Sequence, residues 1–213
     1  MLREETKLRI CNVNRPDRAL NLEYEKDEME LLDICNEEGF PTGETVERSR
    51  AHSEGILHRT AHVWVVREVD GRTQVLLQKR SMDKDSYPGM YDTSSAGHIP
   101  AGAEPLESAL RELGEELGIH AGPEDLTYIG MFHVEYEEEF YGELFHDNEI
   151  IRAFLYRKPV NIEELKLQKS EVDEVRWFDL DGIYEEILSG DSDVFCVNPN
   201  GMKVLVDYLK NTE

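Results

Sequence analysis

No stretch of this chain approaches the ~18–20 consecutive apolar residues that a helix needs to cross a bilayer. Its opening, MLREETKLRI, also lacks the apolar run of a secretory signal. Cysteine is scarce. Cys11, Cys35 and Cys196 form no CxxC pair and no even framework, which suits a reducing interior. Basic residues are short as well, 23 against 46 acidic, for a net charge of −23. So acidic a chain repels a phosphate backbone unless cations intervene, which argues against a nucleic-acid scaffold role. No repeat of 20–50 residues is visible. A cytoplasmic, soluble enzyme is the expectation.

What is present suits one α/β domain of 213 residues. Residues 1–28 are polar and aperiodic and read as an N-terminal extension, with the domain proper over 29–213. Met29 opens a first strand, MELLDIC; NEEGFPTG has the Gly and Pro of a turn, and ETVERSRAHSEGI reads as a short helix. Two β-rich runs flank Asp70-Gly71, a favoured type I′ dipeptide, and predict a hairpin. A loop, SMDKDSYPGM, leads through YDTSSAG to an amphipathic helix, AEPLESALRELGEELGI. In it Leu106, Leu110, Leu113 and Leu117 form one stripe and Gly118 is the stop. LTYIGMFHVEYEEEFYGELF, NEIIRAFLYR and VDEVRWFDL read as strands. Helices follow around DGIYEEILSG and from about Asn198.

The helix carries the chemistry. Glu112, Glu115 and Glu116 stand at i, i+3 and i+4, sharing a face opposite the leucine stripe. Like charges so close repel, and a hard divalent cation reverses that repulsion because Mg²⁺ and Mn²⁺ take carboxylate oxygens. Arg111 can orient one carboxylate. The same spacing also suits a solvated acidic face. Gly114, inside the helix, suggests a close approach there.

Gly97-x13-Arg111-Glu112-Leu113-x-Glu115-Glu116-x-Gly118-Ile119 resembles the Nudix box, GX5EX7REUXEEXGU with U aliphatic. One position departs: the box's first Glu falls on Ala103, an accessory position in the family, with Glu104 next to it. Lys79-Arg80-x3-Lys84-x2-Tyr87-Pro88-Gly89, Ser95-Ala96-Gly97-His98, His52-x5-His58 and Asp147-Asn148-Glu149 resemble the branch containing isopentenyl-diphosphate isomerase and its hydrolase relatives. The resemblance covers about residues 30–190. It implies a Nudix α/β/α sandwich with a curved mixed sheet, Mg²⁺ or Mn²⁺ as cofactor, a small-molecule diphosphate as substrate and a possible homodimer. It implies metal ligation by Glu112, Glu115 and Glu116, and a metal held in the isomerases by the equivalents of His52, His58, His98, Asp147 and Glu149. Catalytic roles fall to Glu115, Glu116, Glu149 and Arg111, and diphosphate binding to Arg80 and Lys84.

The isomerases need a cysteine where this chain has Ala96. Allylic isomerisation requires a proton donor and an acceptor on opposite faces of the alkene, and alanine is neither. The reading is therefore a hydrolase of phosphoanhydrides in nucleoside diphosphate derivatives or related diphosphates. A prenyl-diphosphate isomerase and a silent metabolite-binding domain are the rivals. Among the remaining candidates, His62, Trp64, Trp177 and Phe178 read as packing residues, Cys35 as a buried small hydrophobe, and Glu137-Glu138-Glu139 as a solvated strand edge.

Overall fold

The computed structural model describes residues 30–190 and 192–212. The extension over residues 1–28, and Met29 as a strand residue, lie outside that range. The first described strand, β1 (Leu31–Cys35), pairs antiparallel with β2 (Pro41–Glu47). β2 was expected as the end of a turn and the start of a helix. The turn is confined to residues 36–40, where the Asn36 side chain accepts from Phe40 N at 2.9 Å and Gly39 takes φ 75°. Only Val46 of β2 is buried, so the strand has no alternation to read. Helix α1 (Arg48–Glu54) follows directly.

The main sheet is built on a long strand, β3 (His58–Val69). Asp70 (φ 51°) and Gly71 (φ 74°) turn it into β4 (Arg72–Arg80), as the type I′ dipeptide predicts. β4 covers only the second half of β3. The first half pairs with β6 (Ser95–His98), reached through the short β5 (Tyr91–Asp92). At this fork the buried Ser94 hydroxyl accepts from Val65 N and donates to Leu76 O, satisfying backbone groups on both strands. Helix α2 (Pro105–Leu117), strands β7 (Leu126–Phe140), β8 (Glu143–Tyr156) and β9 (Val172–Asp179), and helices α3 (Leu180–Ser189) and α4 (Pro199–Thr212) complete the fold. The described sheet runs β5-β4-β3-β8-β7, with β6 on β3 and β9 on β4. β8 is parallel to β3 and the other pairings are antiparallel, so the sheet is mixed.

Alternation along β3 assigns the two faces. Ala61, Val63 and Val65 pack with Ala109, Leu113 and Leu117 of α2, while Trp64 and Val66 pack with Ile183 and Ile187 of α3 and Leu205 and Leu209 of α4. This is the α/β/α sandwich expected. Trp64 is wholly buried and Cys35 nearly so, and Trp177 and Phe178 pack against the two cores.

Two sequence expectations are corrected. The break between β7 and β8 lies at Tyr141-Gly142 (φ 54° and 85°), not between Phe145 and Asn148. The acidic run continues the strand because Glu137, Glu138 and Glu139 pair with His146, Phe145 and Leu144. Gly114 makes no close approach. A Cβ there would meet nothing nearer than His120 Nδ1 at 3.5 Å, an ordinary contact, and its φ is not in the left-handed region. Gly114→Ala should therefore stabilise the protein by about 0.5–1 kcal/mol in urea denaturation, through helix propensity alone. A loss of stability would show that the glycine answers a packing demand.

Candidate functional site

β6 is the strand on which the candidate residues converge. Ala96 and His98 oppose His62 and Thr60 of β3 in register and so face the α3/α4 side; Ser95 and Gly97 face α2. A Cβ on Gly97 would lie 2.1 Å from the Glu112 carboxylate. Glycine is required there because α2 lays an acid where any other residue would carry its side chain.

The acids of α2 do not all share an exposed face. Glu115 is open to solvent and Glu112 is partly buried. Glu116 is 4% exposed, on the same buried surface as Leu113 and Leu117. The helical step of ~100° per residue swings position 116 toward the sheet edge as well as toward its acidic neighbours. There Ala96 N donates to Glu116 Oε2 at 3.1 Å, and Gln78 Nε2 donates more distantly at 3.4 Å. Arg111 gathers the others. Nη2 stands 2.7 Å from Glu112 Oε1 and donates to His98 O at 3.2 Å, and Nη1 donates to Glu115 Oε2 at 3.0 Å. Burial pushes Glu112 up to about 7 against the pull of Arg111. Burial also pushes Glu116 to about 7, against the Ala96 N–H and the Lys84 charge.

On the other face the resemblance-implied histidines meet. Ligand-capable atoms of His52, His58, His98 and Glu149 all lie within 4.8 Å of one another. α1 brings His52, β3 His58, β6 His98 and β8 Glu149, the last directly opposite His58 in register. His58 Nδ1 donates to Ile56 O at 2.8 Å, which fixes the tautomer and aims Nε2 inward. Nε2 is buried without a hydrogen-bond partner among the described residues; Glu149 Oε1 stands 3.4 Å off and also faces His98 Nε2 at 3.7 Å. Thr60 Oγ1 donates to Glu149 Oε2 at 3.0 Å. Asp147 Oδ1, likewise buried and without a partner, lies 3.7 Å from His52 Nε2.

Burial lowers His52 to about 4 and His98 well below the usual histidine range, so both rings are neutral near pH 7. Burial opposes charge on His58 and Glu149 too, yet each favours the charged form of the other: His58 is raised and Glu149 lowered. Burial and the Glu149 charge drive Asp147 up to about 8. The neutral imidazoles of His52 and His98, the Glu149 carboxylate and the inward-facing orphaned Nε2 of His58 suit a divalent-metal site.

Arg80 and Lys84 flank the site but are not free. Arg80 donates to Ser86 O and Oγ at 3.0 Å each and pairs with Asp92 at 3.2 Å; Lys84 pairs with Glu171. His62 packs as expected, edge-on to Phe132 at 6.0 Å. Sequence reasoning missed Gln78, Asp92 and Glu171, as well as an aromatic group above the histidines. Tyr87 contacts Tyr136 and Phe140, and Phe145 stacks on His52 at 4.5 Å. Tyr87 takes φ 46°, uncommon for a bulky residue.

The NUDIX domain family model matches residues 57–195, which span β3 through β9 and α3 and include both acid sets. An uncharacterised Nudix hydrolase of Clostridium acetobutylicum is 36% identical over 197 residues, covering 87% of this chain and 89% of that protein. Nudix hydrolase 3 of Arabidopsis thaliana is 39% identical over 151 residues, 70% of this chain but 19% of its own length. In fold, a crystal structure from Deinococcus radiodurans superposes with a TM-score of 0.60 at 15% identity, covering 83% of this chain and 98% of that one. A MutT protein from Methanosarcina mazei gives 0.52 at 19% identity, over 74% and 96%. With the box acids on α2 set against β6, and the family model matching most of the domain, this chain belongs to the NUDIX domain family and is a Nudix hydrolase.

Proposed function

We propose that the protein hydrolyses a phosphoanhydride bond in a nucleoside diphosphate derivative or a related diphosphate, with Mg²⁺ or Mn²⁺ as cofactor. The observation that carries this reading is the pairing of Arg111 with both Glu112 and Glu115, with Glu116 of the same helix anchored on the Ala96 N–H. These carboxylates would hold the cation, which would supply positive charge to offset that developing on the phosphate. Arg111 orients Glu112 and Glu115, and Lys84 and Arg80 bind the diphosphate. Water attacks phosphorus, its proton passes to a carboxylate, and the bond to the bridging oxygen breaks. Glu115 is the solvent-open acid of the set and takes that proton. His52, His58, His98 and Glu149 would hold a second cation on the opposite face. That cluster supports kinship with the isomerase-like branch. Ala96 weighs against isomerisation, because it brings only its backbone to the site.

The direct test is product release from a panel of nucleotide sugars, dinucleotides, nucleoside di- and triphosphates and prenyl diphosphates, with Mg²⁺, Mn²⁺ or chelator. Cleavage should require metal and fall at least ~10²-fold in Glu115→Gln and in Glu116→Gln. Binding of a panel member without turnover would support the silent-domain rival instead. Isomerised prenyl diphosphate would support the isomerase.

Raised acids also set a pH dependence. Because Glu112 and Glu116 titrate near 7 folded and near 4.5 otherwise, their stabilisation of the metal-free fold is complete below 4.5 and is lost as pH rises through 7. Deprotonation is what a cation needs. The rise in melting temperature on adding Mn²⁺ should grow from pH 5.5 to 8, and that growth should shrink in the Glu112→Gln/Glu116→Gln protein. A metal-induced shift independent of pH would contradict these assignments.

A further inference from the structure

We infer that Glu171 is a built-in competitor for the substrate's phosphate: its carboxylate occupies the Lys84 ammonium, and a diphosphate must displace it to bind. The inference rests on the reading of Lys84 as a phosphate-binding residue.

Lys84 belongs to the loop between β4 and β5, and Glu171 is the last residue before β9. Nothing in their spacing of 87 positions predicts that they meet. The main chain brings them together. Ser81 N donates to Glu171 O at 2.9 Å, Lys84 N to Ser81 O at 3.3 Å, and Glu171 N to Gln168 O at 2.8 Å. With both backbones tied, Lys84 Nζ donates to Glu171 Oε2 in an ion pair whose partners are both only partly buried. The Lys84 charge also opposes the rise in the pKa of Glu116. The setting of the ion pair differs from that of the neighbouring Arg80–Asp92 pair. Arg80 spends three donors on Ser86 and Asp92, whereas among the described residues the Lys84 side chain bonds Glu171 alone.

A partly solvated carboxylate is a weak holder of a lysine, and a diphosphate brings more negative charge and more acceptor oxygens to the same ammonium. Glu171 therefore lowers the affinity for every anionic ligand without touching the bond that breaks, and it disfavours singly charged anions most because they gain least by displacing it. Replacement by glutamine keeps the volume and all three main-chain bonds and removes the competing charge.

The experiment is calorimetric binding of methylenediphosphonate, a diphosphate that cannot be hydrolysed at its bridge, to the full chain in Mg²⁺. The proteins compared are wild type, Glu171→Gln, Lys84→Gln and the double variant. Glu171→Gln should bind roughly two- to fivefold more tightly than wild type. The gain should shrink as NaCl is raised and vanish when Lys84 is also glutamine. Unchanged or weaker binding in Glu171→Gln, with binding weakened in Lys84→Gln, would overturn the inference while leaving Lys84 as a phosphate ligand. Unchanged binding in Lys84→Gln would instead overturn the placement of the phosphate subsite. A purely structural role for Glu171 cannot produce tighter binding, so the sign of the change decides.

Discussion

The close approach of α2 to β6 at Gly97 governs the rest of the site. Glu112 fills the volume that any side chain at 97 would claim, and one turn later Glu116 is pressed onto the Ala96 amide. Two carboxylates enter a low-dielectric wall with a guanidinium, a backbone N–H and a distant amide as partners. Burying acids in that way is unfavourable, and their rise to about 7 is its signature. Hydrophobic packing supplies the compensation. Ala109, Leu113 and Leu117 close against Ala61, Val63, Val65 and Leu76, holding the helix down against the repulsion of its own acids. An arrangement that weakens the fold at one place and is held there by the core is what a binding site for a cation looks like before the cation is counted.

Four residues of β6 serve two purposes at once. Its α2-facing side admits the box acids, and its other side carries His98 into contact with His52 and Glu149. Arg111 links the two, bonding Glu112, Glu115 and the His98 carbonyl. The fork in β3, sealed by Ser94, makes room for so short a strand inside the sheet. Without the fork β4 would continue along β3 and neither cluster would have its central element.

Legibility in the sequence followed the range of the forces involved. The β3–β4 turn and α2 with its Gly118 cap (φ 71°) are set by residues within a few positions of one another, and both were readable. The turn at Tyr141-Gly142 was not, because the polar run around it has no alternation and only pairing between β7 and β8 fixes the register. β5 and β6 are too short to show a period. The acid set on α2 was visible as spacing, yet burial of Glu116 depends on a sheet edge twenty residues upstream. His52, His58, His98 and Glu149 come from four elements, so only a resemblance could group them. The ion pairing of Lys84 with Glu171 depends on a main-chain tie between distant segments and had no local signal at all.

In the function proposed above, β6 divides two candidate metal sites, the box acids on one side and the histidines with Glu149 on the other. Anomalous diffraction from crystals grown in Mn²⁺ tests it most directly. The account predicts one peak among Glu112, Glu115 and Glu116, abolished in Glu112→Gln/Glu116→Gln, and a second among His52, His58, His98 and Glu149 that survives those substitutions. Absence of manganese from the box acids at saturating concentration, with the histidine peak intact, would contradict it.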